Sequence, residues 1–151
     1  MGIDSDVLTL SKVPLFHGFT PEQLRLIAFG TEHLTVPKGR ELYREGETAD
    51  CGFVVLSGLV NLFEDKGSDR RIMHTAEPGT LLGELALISA NQRSTGAVAA
   101  TECEVIRISR SLFRRVLEEY PELAAKLHAA MSRRFGAFID DVTKLEKRFG
   151  D

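Results

Sequence analysis

Between residues 79 and 96 the chain reads Gly79-Thr-Leu-Leu-Gly-Glu-Leu-Ala-Leu-Ile-Ser-Ala-Asn-Gln-Arg-Ser-Thr-Gly96. The stretch combines a glycine turn, a short apolar segment that opens at Gly83, and the triplet Arg93-Ser94-Thr95. A helix beginning at Gly83 would present unpaired N–H groups and a partial positive charge, which favour an anion. Arg93 offers a planar fork of donors to the same anion, and Ser94 and Thr95 add hydroxyl groups. The pattern therefore predicts a phosphate-binding site.

Glu84 does not fit a bare phosphate site, because a carboxylate repels a phosphate. The conflict disappears if Glu84 accepts hydrogen bonds from the hydroxyl groups of a sugar. A phosphate joined to a hydroxylated sugar indicates a nucleotide. The alternative is that Glu84 only complements the dipole of the helix that it begins.

The same segment resembles the phosphate-binding cassette of the cyclic-nucleotide-binding domain superfamily. This superfamily includes the bacterial catabolite activator protein, the regulatory subunits of cAMP-dependent kinase and the cyclic-nucleotide-gated channels. Gly83–Ile88 matches the first half of its pattern almost completely, and Arg93-Ser94 matches the second half. Four positions depart from the pattern: Leu82 replaces an aromatic residue, Gln92 stands where proline is common, and Thr95-Gly96 replaces a small residue followed by a hydroxyl residue.

The resemblance implies a ligand site made of Gly83, Glu84, Leu85, Arg93, Ser94, Thr95 and Phe138. Arg93 and Ser94 would hold the cyclic phosphate together with backbone groups of Gly83, Leu85 and Thr95. Glu84 would hold the ribose hydroxyl. Phe138 would stack on the base without hydrogen bonding to it, so we expect little discrimination between cAMP and cGMP. The alternative role of Phe138 is packing.

Composition predicts one domain over residues 1–151, with 43% apolar residues, 27% charged residues and a net charge of −3. Apolar runs such as Phe53–Leu56 reach only four residues, which is too short to span a bilayer, and the N-terminus has no basic-then-apolar signal. We therefore expect a cytoplasmic protein. Cys51 and Cys103 are predicted to be small buried residues. The histidines lack metal-ligand spacing, and no Ser/His/Asp order, Walker loop or paired-carboxylate motif stands out, so no metal, cofactor or catalytic site is expected.

Three segments follow one another along the chain. Residues 1–32 are predicted to be helical, with one helix at Val7–Lys12 and a second that opens at the capping box of Thr20 and ends near Gly30. Residues 33–108 alternate short apolar runs with turns, which is typical of a β-sandwich or barrel. Residues 109–151 are predicted to form two C-terminal helices separated by Pro121. The predicted turn glycines are Gly39, Gly46, Gly58 and Gly67.

The fold class is therefore predicted as α+β, mainly β. The resemblance implies an eight-stranded antiparallel β-roll, also described as a double-stranded β-helix or jelly roll. N-terminal helices would precede the roll and two C-terminal helices would follow it. A short helix would lie within the phosphate cassette.

The last predicted helix runs from Pro121 to about Arg148 and carries an apolar stripe. Its members follow each other at spacings of 4, 3, 4, 3 and 4 residues: Met131, Phe135, Phe138, Val142, Leu145 and Phe149. This spacing is typical of a coiled-coil seam. Charged residues surround the stripe, which favours a helical hairpin or a dimer seam over packing on the chain's own β-roll. The resemblance likewise implies a homodimer through this helix.

These observations predict a non-enzymatic sensor of cAMP or cGMP whose C-terminal helices report ligand binding to an unidentified downstream protein. The bacterial regulators of the superfamily continue into a winged helix-turn-helix, whereas this sequence ends with the long helix. We therefore expect neither DNA binding nor membrane binding. Two alternatives remain: a degenerate relative that serves as a ligand-free dimerisation scaffold, and a regulatory fragment of a transcription regulator or channel.

Overall fold

The computed structural model describes residues 2–129. Helix α1 spans Ile3–Ser11, a 3-10 turn spans Pro14–Phe16, and helix α2 spans Pro21–Gly30. The predicted capping box of α2 is present, because Thr20 Oγ1 accepts from Gln23 N at 3.2 Å and Gln23 Oε1 accepts from Thr20 N at 2.9 Å.

Helix α1 begins four residues before the predicted Val7. Asp4 and Asp6 lie in its first turn, where carboxylates favour the helix N-terminus. Asp6 is buried, and its Oδ2 lies 2.7 Å from His33 Nε2, which joins α1 to the first strand. The apolar pattern from Val7 onward missed the first turn, because two of its residues are aspartates.

Ten strands and three further elements follow. The strands are β1 Glu32–Val36, β2 Glu41–Tyr43, β3 Thr48–Ala49, β4 Cys51–Ser57, β5 Val60–Lys66, β6 Asp69–Ala76, β7 Leu81–Leu82, β8 Asn91–Gln92, β9 Gly96–Ala99 and β10 Cys103–Ser109. A 3-10 turn, Glu84–Leu87, lies between β7 and β8 and is called the cassette turn below. Helix α3 spans Arg110–Glu119, and residues 121–129 are helical.

The strands form two four-stranded sheets and one short ladder. The sheets have the orders β1-β10-β4-β7 and β2-β9-β5-β6, with antiparallel pairing throughout. Their eight strands correspond to the predicted β-roll, and the α+β class is confirmed. The predicted count of eight was too low, because β3 and β8 pair only with each other. Two-residue strands carry too little pattern to be recognised in a sequence.

The predicted turn glycines have left-handed backbones, with φ between 65° and 89° at Gly39, Gly46, Gly58 and Gly67. Both cysteines are buried free thiols, as predicted. None of the helices within residues 2–129 is long and apolar enough to cross a membrane. Within the same residues, no three His, Cys, Asp or Glu side chains cluster as metal ligands would.

The core has two parts. One lies between the sheets and the other lies beneath the helices, where Phe16, Ile27 and Phe113 are almost fully buried. Leu87 of the cassette turn belongs to the second part, and α3 contacts the cassette turn directly. Leu123 and Leu127 add the helical residues 121–129 to the same cluster. The predicted dimer seam, residues 131–149, lies outside the described residues.

Candidate functional site

The apolar part of the predicted phosphate segment, Glu84–Leu87, folds as a single 3-10 turn. Gly83 precedes it with φ 82° and ψ 42°, and Gly83 O accepts from Ala86 N at 3.1 Å. The prediction of a short helix opened by Gly83 is thus correct, but a four-residue turn adds little macrodipole, because that dipole sums over aligned peptide groups. The first N–H groups of such a turn still have no acceptor inside it. Attraction to an anion must therefore come mainly from side chains and individual amides.

Arg93 follows β8 and faces inward. Its backbone N donates to Glu47 O, and its backbone O accepts from Gly46 N, both at 2.8 Å. These two bonds extend the β3–β8 ladder by one residue. Arg93 is only 7% exposed. The ladder therefore places a guanidinium group inside the protein.

The guanidinium is held on one side and left without an acceptor on the other. Its Nη2 donates to Cys51 O at 2.8 Å. Its Cζ lies 4.2 Å from the ring centroid of Tyr43 and 5.8 Å from that of Phe53, so aromatic faces flank the cation. Its Nη1 is buried and has no hydrogen-bond partner. A buried charged donor without an acceptor is unfavourable, so an acceptor placed at Nη1, and an anionic one most of all, would stabilise this group.

Gly83 and Arg93 are brought together, as the sequence predicted. A Cβ atom built on Gly83 would overlap Arg93 Nη1. The left-handed φ of Gly83 independently favours glycine. Only glycine therefore allows the cassette turn to lie directly against the guanidinium.

Tyr43 and Cys51, which contact the guanidinium, stay neutral near pH 7. Burial raises the pKa of the Tyr43 hydroxyl, and the positive charge of Arg93 only partly opposes this rise. Burial likewise raises the pKa of the Cys51 thiol, against the charges of Arg107 and Arg93. Neither group supplies a negative charge to Arg93 at neutral pH.

The other predicted ligand residues are placed as follows. Glu84 is half-buried at the start of the cassette turn, and Leu85 beside it is 42% exposed. Ser94 is exposed and Thr95 is half-buried in the link from Arg93 to β9. Phe138 lies outside the described residues.

The departure at Gly96 has a packing reason. Gly96 is buried at the start of β9, and a Cβ atom there would overlap the ring of Phe63. Phe63 is 3% exposed, and its ring is covered by the guanidinium of Arg70 at 3.7 Å from the centroid. The glycine is thus required by the core between the sheets, and it does not by itself indicate a degenerate site.

Sequence reasoning missed the residues that hold Arg93. Cys51 acts through its carbonyl oxygen, which leaves no trace in the identity of a side chain. In the sequence, Tyr43 and Phe53 cannot be distinguished from other strand residues. Only the pairing of distant strands shows that they flank a cation. Glu47 and Gly46 likewise act through backbone groups.

Comparison with known proteins identifies the family. The family described as cyclic nucleotide-binding domain matches residues 33–120, which is more than half of the chain. The Cyclic AMP receptor protein of Thermus thermophilus is 31% identical over 122 residues, covering 80% of this chain and 56% of that protein. The cAMP-dependent protein kinase regulatory subunit of Eremothecium gossypii is 37% identical over 103 residues, covering 68% of this chain and 22% of that subunit. The chain thus spans about half or less of these relatives.

Solved structures give the same result. A cyclic nucleotide-binding-like protein from Brucella abortus is 53% identical with a TM-score of 0.71, covering 75% of this chain and 97% of that one. The N-terminal domain of a transcriptional regulator from Streptomyces coelicolor A3(2) is 27% identical with a TM-score of 0.81, covering 89% of this chain and 94% of that one. From the matched residues and the shared fold, the chain belongs to the cyclic nucleotide-binding domain family, whose members are regulatory domains.

Proposed function

We propose that this chain is a non-enzymatic regulatory module that binds cAMP or cGMP. The observation that carries the proposal is the buried Nη1 of Arg93, which has no hydrogen-bond partner while Nη2 is held by Cys51 O. A cyclic phosphate supplies both the negative charge and the acceptor oxygens that this group needs.

Residues near Arg93 would complete the site. Ser94 would donate its hydroxyl to the phosphate, and Thr95 would donate its backbone N–H. The backbone of Gly83 and Leu85 would approach the ligand from the cassette turn, and Glu84 would accept from the ribose hydroxyl. Two relatives whose names refer to cyclic AMP support this ligand class.

Readout would begin at the cassette turn. Because Nη1 is buried against Gly83, a phosphate reaches it only if the turn moves. Leu87 of the turn packs in one cluster with Phe113 of α3 and with Leu123. Movement of the turn would therefore shift the C-terminal helices. The ligand can bias the equilibrium between the two positions only by the difference in its affinity for them. An unidentified partner protein, or a second copy joined through the last helix, would detect the shift.

We place this activity in the cytoplasm, where buried free thiols such as Cys51 and Cys103 persist.

The test is a calorimetric titration of protein freed of co-purified nucleotide. A charge-assisted hydrogen bond contributes roughly 1.5–3 kcal/mol, so Arg93→Ala should weaken binding about ten- to a hundredfold. Arg40→Ala is the matched control, because it removes an exposed arginine. Equal affinity in Arg93→Ala and wild type would remove Arg93 from the site. No binding of either nucleotide to wild type would favour the ligand-free scaffold.

The same titrations test base selectivity. Discrimination between bases needs polar groups that the wrong base leaves unpaired. Phe138 and Ile139, the positions that correspond to base contacts in the catabolite activator protein, carry no polar side-chain group. We therefore expect the affinities for cAMP and cGMP to differ by less than about tenfold, or roughly 1.4 kcal/mol. A hundredfold preference would contradict this and indicate a polar contact to the base.

A further inference from the structure

Asn91 carries a second buried polar atom without a partner. Its Oδ1 is fully buried and accepts no hydrogen bond, and within residues 2–129 it shares this condition only with Arg93 Nη1. The two atoms have opposite roles, because Oδ1 is an acceptor without a donor and Nη1 is a donor without an acceptor. Buried polar groups in proteins are almost always hydrogen-bonded, so two such atoms within three residues need a common explanation.

The β3–β8 ladder places both side chains on one face. Asn91 is paired with Ala49, and Gln92 with Thr48. Ala49 and Arg93 are buried and Asn91 is half-buried, whereas Thr48 and Gln92 are exposed. Successive residues of a strand alternate between its faces, so Asn91 and Arg93 point to the inner face together. Residues two apart in a strand are separated by roughly 6.6 Å, which one small ligand can span.

We infer that Asn91 is a further ligand-binding residue, whose Oδ1 accepts a hydrogen bond from the molecule that Arg93 binds. The inference rests on the proposed function and extends it. The site selects an anion that carries a hydrogen-bond donor beside its charge. In a cyclic nucleotide this donor is either an N–H group of the base or the ribose 2′-hydroxyl, which has one proton and would then donate it to Asn91 in place of Glu84. A bare anion satisfies Arg93 and leaves Asn91 unpaired.

The test compares Asn91→Leu with the matched control Gln92→Leu, which removes an exposed amide from the outer face of the same strand. Loss of a neutral hydrogen bond should weaken cAMP binding about three- to tenfold in Asn91→Leu and leave Gln92→Leu at the wild-type affinity. Without ligand, Asn91→Leu should melt no lower than wild type, because it removes an unsatisfied buried acceptor.

Two analogues identify the donor. One is 2′-deoxy-cAMP, and the other is the cyclic monophosphate of purine riboside, which lacks the amino group of adenine. The analogue that lacks the contacted donor should bind Asn91→Leu as tightly as cAMP does, while it binds wild type more weakly than cAMP. Wild-type affinity in Asn91→Leu would overturn the inference and leave the proposed function standing. If each analogue loses as much affinity relative to cAMP in Asn91→Leu as it does in wild type, the inference is likewise overturned and the proposed function stands.

A second variant keeps the inference testable if the leucine disturbs folding. Asn91→Asp preserves the shape of the side chain and places a carboxylate on the face of Arg93, where it competes with the phosphate. It should bind cAMP at least tenfold more weakly, whereas Gln92→Asp on the outer face should bind like wild type. Equal affinity of the two aspartate variants would contradict the inference. Failure of wild type to bind either nucleotide would instead overturn the proposed function and this inference with it.

Discussion

Individual residues hold the guanidinium of Arg93 in one position inside the protein. Cys51 fixes one Nη atom through its carbonyl, and the ring of Tyr43 covers the face of the cation. Gly83 supplies the space in which the other Nη atom lies. Such preorganisation lowers the conformational entropy that ligand binding would otherwise cost. We therefore expect ligand affinity to depend on these supporting residues as well as on Arg93.

Gly83→Ala should separate two roles of this glycine, which are its left-handed backbone and the space that it leaves for Arg93 Nη1. Its φ of 82° makes alanine strained by roughly 1–2 kcal/mol, and the new Cβ overlaps Arg93 Nη1. Gly39→Ala carries the same strain at φ 89° but meets open space. Both variants should lose about 1–2 kcal/mol of unfolding free energy in denaturant titrations, and Gly83→Ala should also bind cyclic nucleotide about tenfold more weakly. If both variants bind equally well, the contact between Gly83 and Arg93 has no part in binding.

At the scale of elements, the cassette turn joins the ligand site to the helical layer. Its inner residues, Ala86 and Leu87, are buried, and Leu85 on its outer side is exposed. α3 is capped by Ser109, whose hydroxyl accepts from Leu112 N at 3.1 Å, and the buried face of the helix contacts the turn. A turn of only four residues has little stability of its own, so its position is set by this packing.

Leu87→Ala tests how strongly the turn is held. Leu87 is 1% exposed, so its truncation should lower the unfolding free energy by roughly 2–4 kcal/mol through lost burial and a new cavity. Leu8→Ala is the control, because Leu8 lies on α1 with 63% exposure and should change stability by about 0.5 kcal/mol or less. Urea titrations of both variants measure the difference. A loss below about 1 kcal/mol for Leu87→Ala would show that the turn is not anchored by this residue.

At the scale of the whole molecule, two four-stranded sheets and a helical layer surround separate parts of the core. The short β3–β8 ladder lies outside both sheets and carries Arg93 and Asn91 at its inner face. The helical layer includes residues 121–129, which precede the segment that we propose as a dimer seam. A signal from the ladder would thus reach a second copy through the helices.

The proposed dimer has a direct test. Leu145→Glu places a charge within the apolar seam, where burying it is strongly unfavourable. Sedimentation at tens of micromolar should show a dimer for wild type and a monomer for the variant. Glu146→Gln is the control, because it changes a charge beside the stripe and should leave the dimer intact. A monomeric wild type at the same concentration would exclude this seam.

The sequence by itself determined the fold class and the succession of N-terminal helices, β-roll strands and a C-terminal helix, and it singled out Gly83 and Arg93, which the structure places in contact. Capping at Thr20, turn glycines such as Gly46 and the cassette from Gly83 to Arg93 are local signals, because each depends on neighbours in the chain. Local patterns also located β5 and β6 around Gly67. They could not show the ladder of β3 with β8, since two-residue strands have no period.

Tertiary structure alone decided how the site is supported. Cys51 and Arg93 meet across 42 residues through a backbone carbonyl, and Tyr43 reaches the same cation from another strand. Phe63 requires glycine at position 96 for the same kind of reason, because the two residues belong to paired strands. No local pattern distinguishes Asn91, and only the β3–β8 ladder places it on the inner face with Arg93. Contacts between distant strands depend on register and burial, and these are properties of the folded chain that no short stretch of sequence contains.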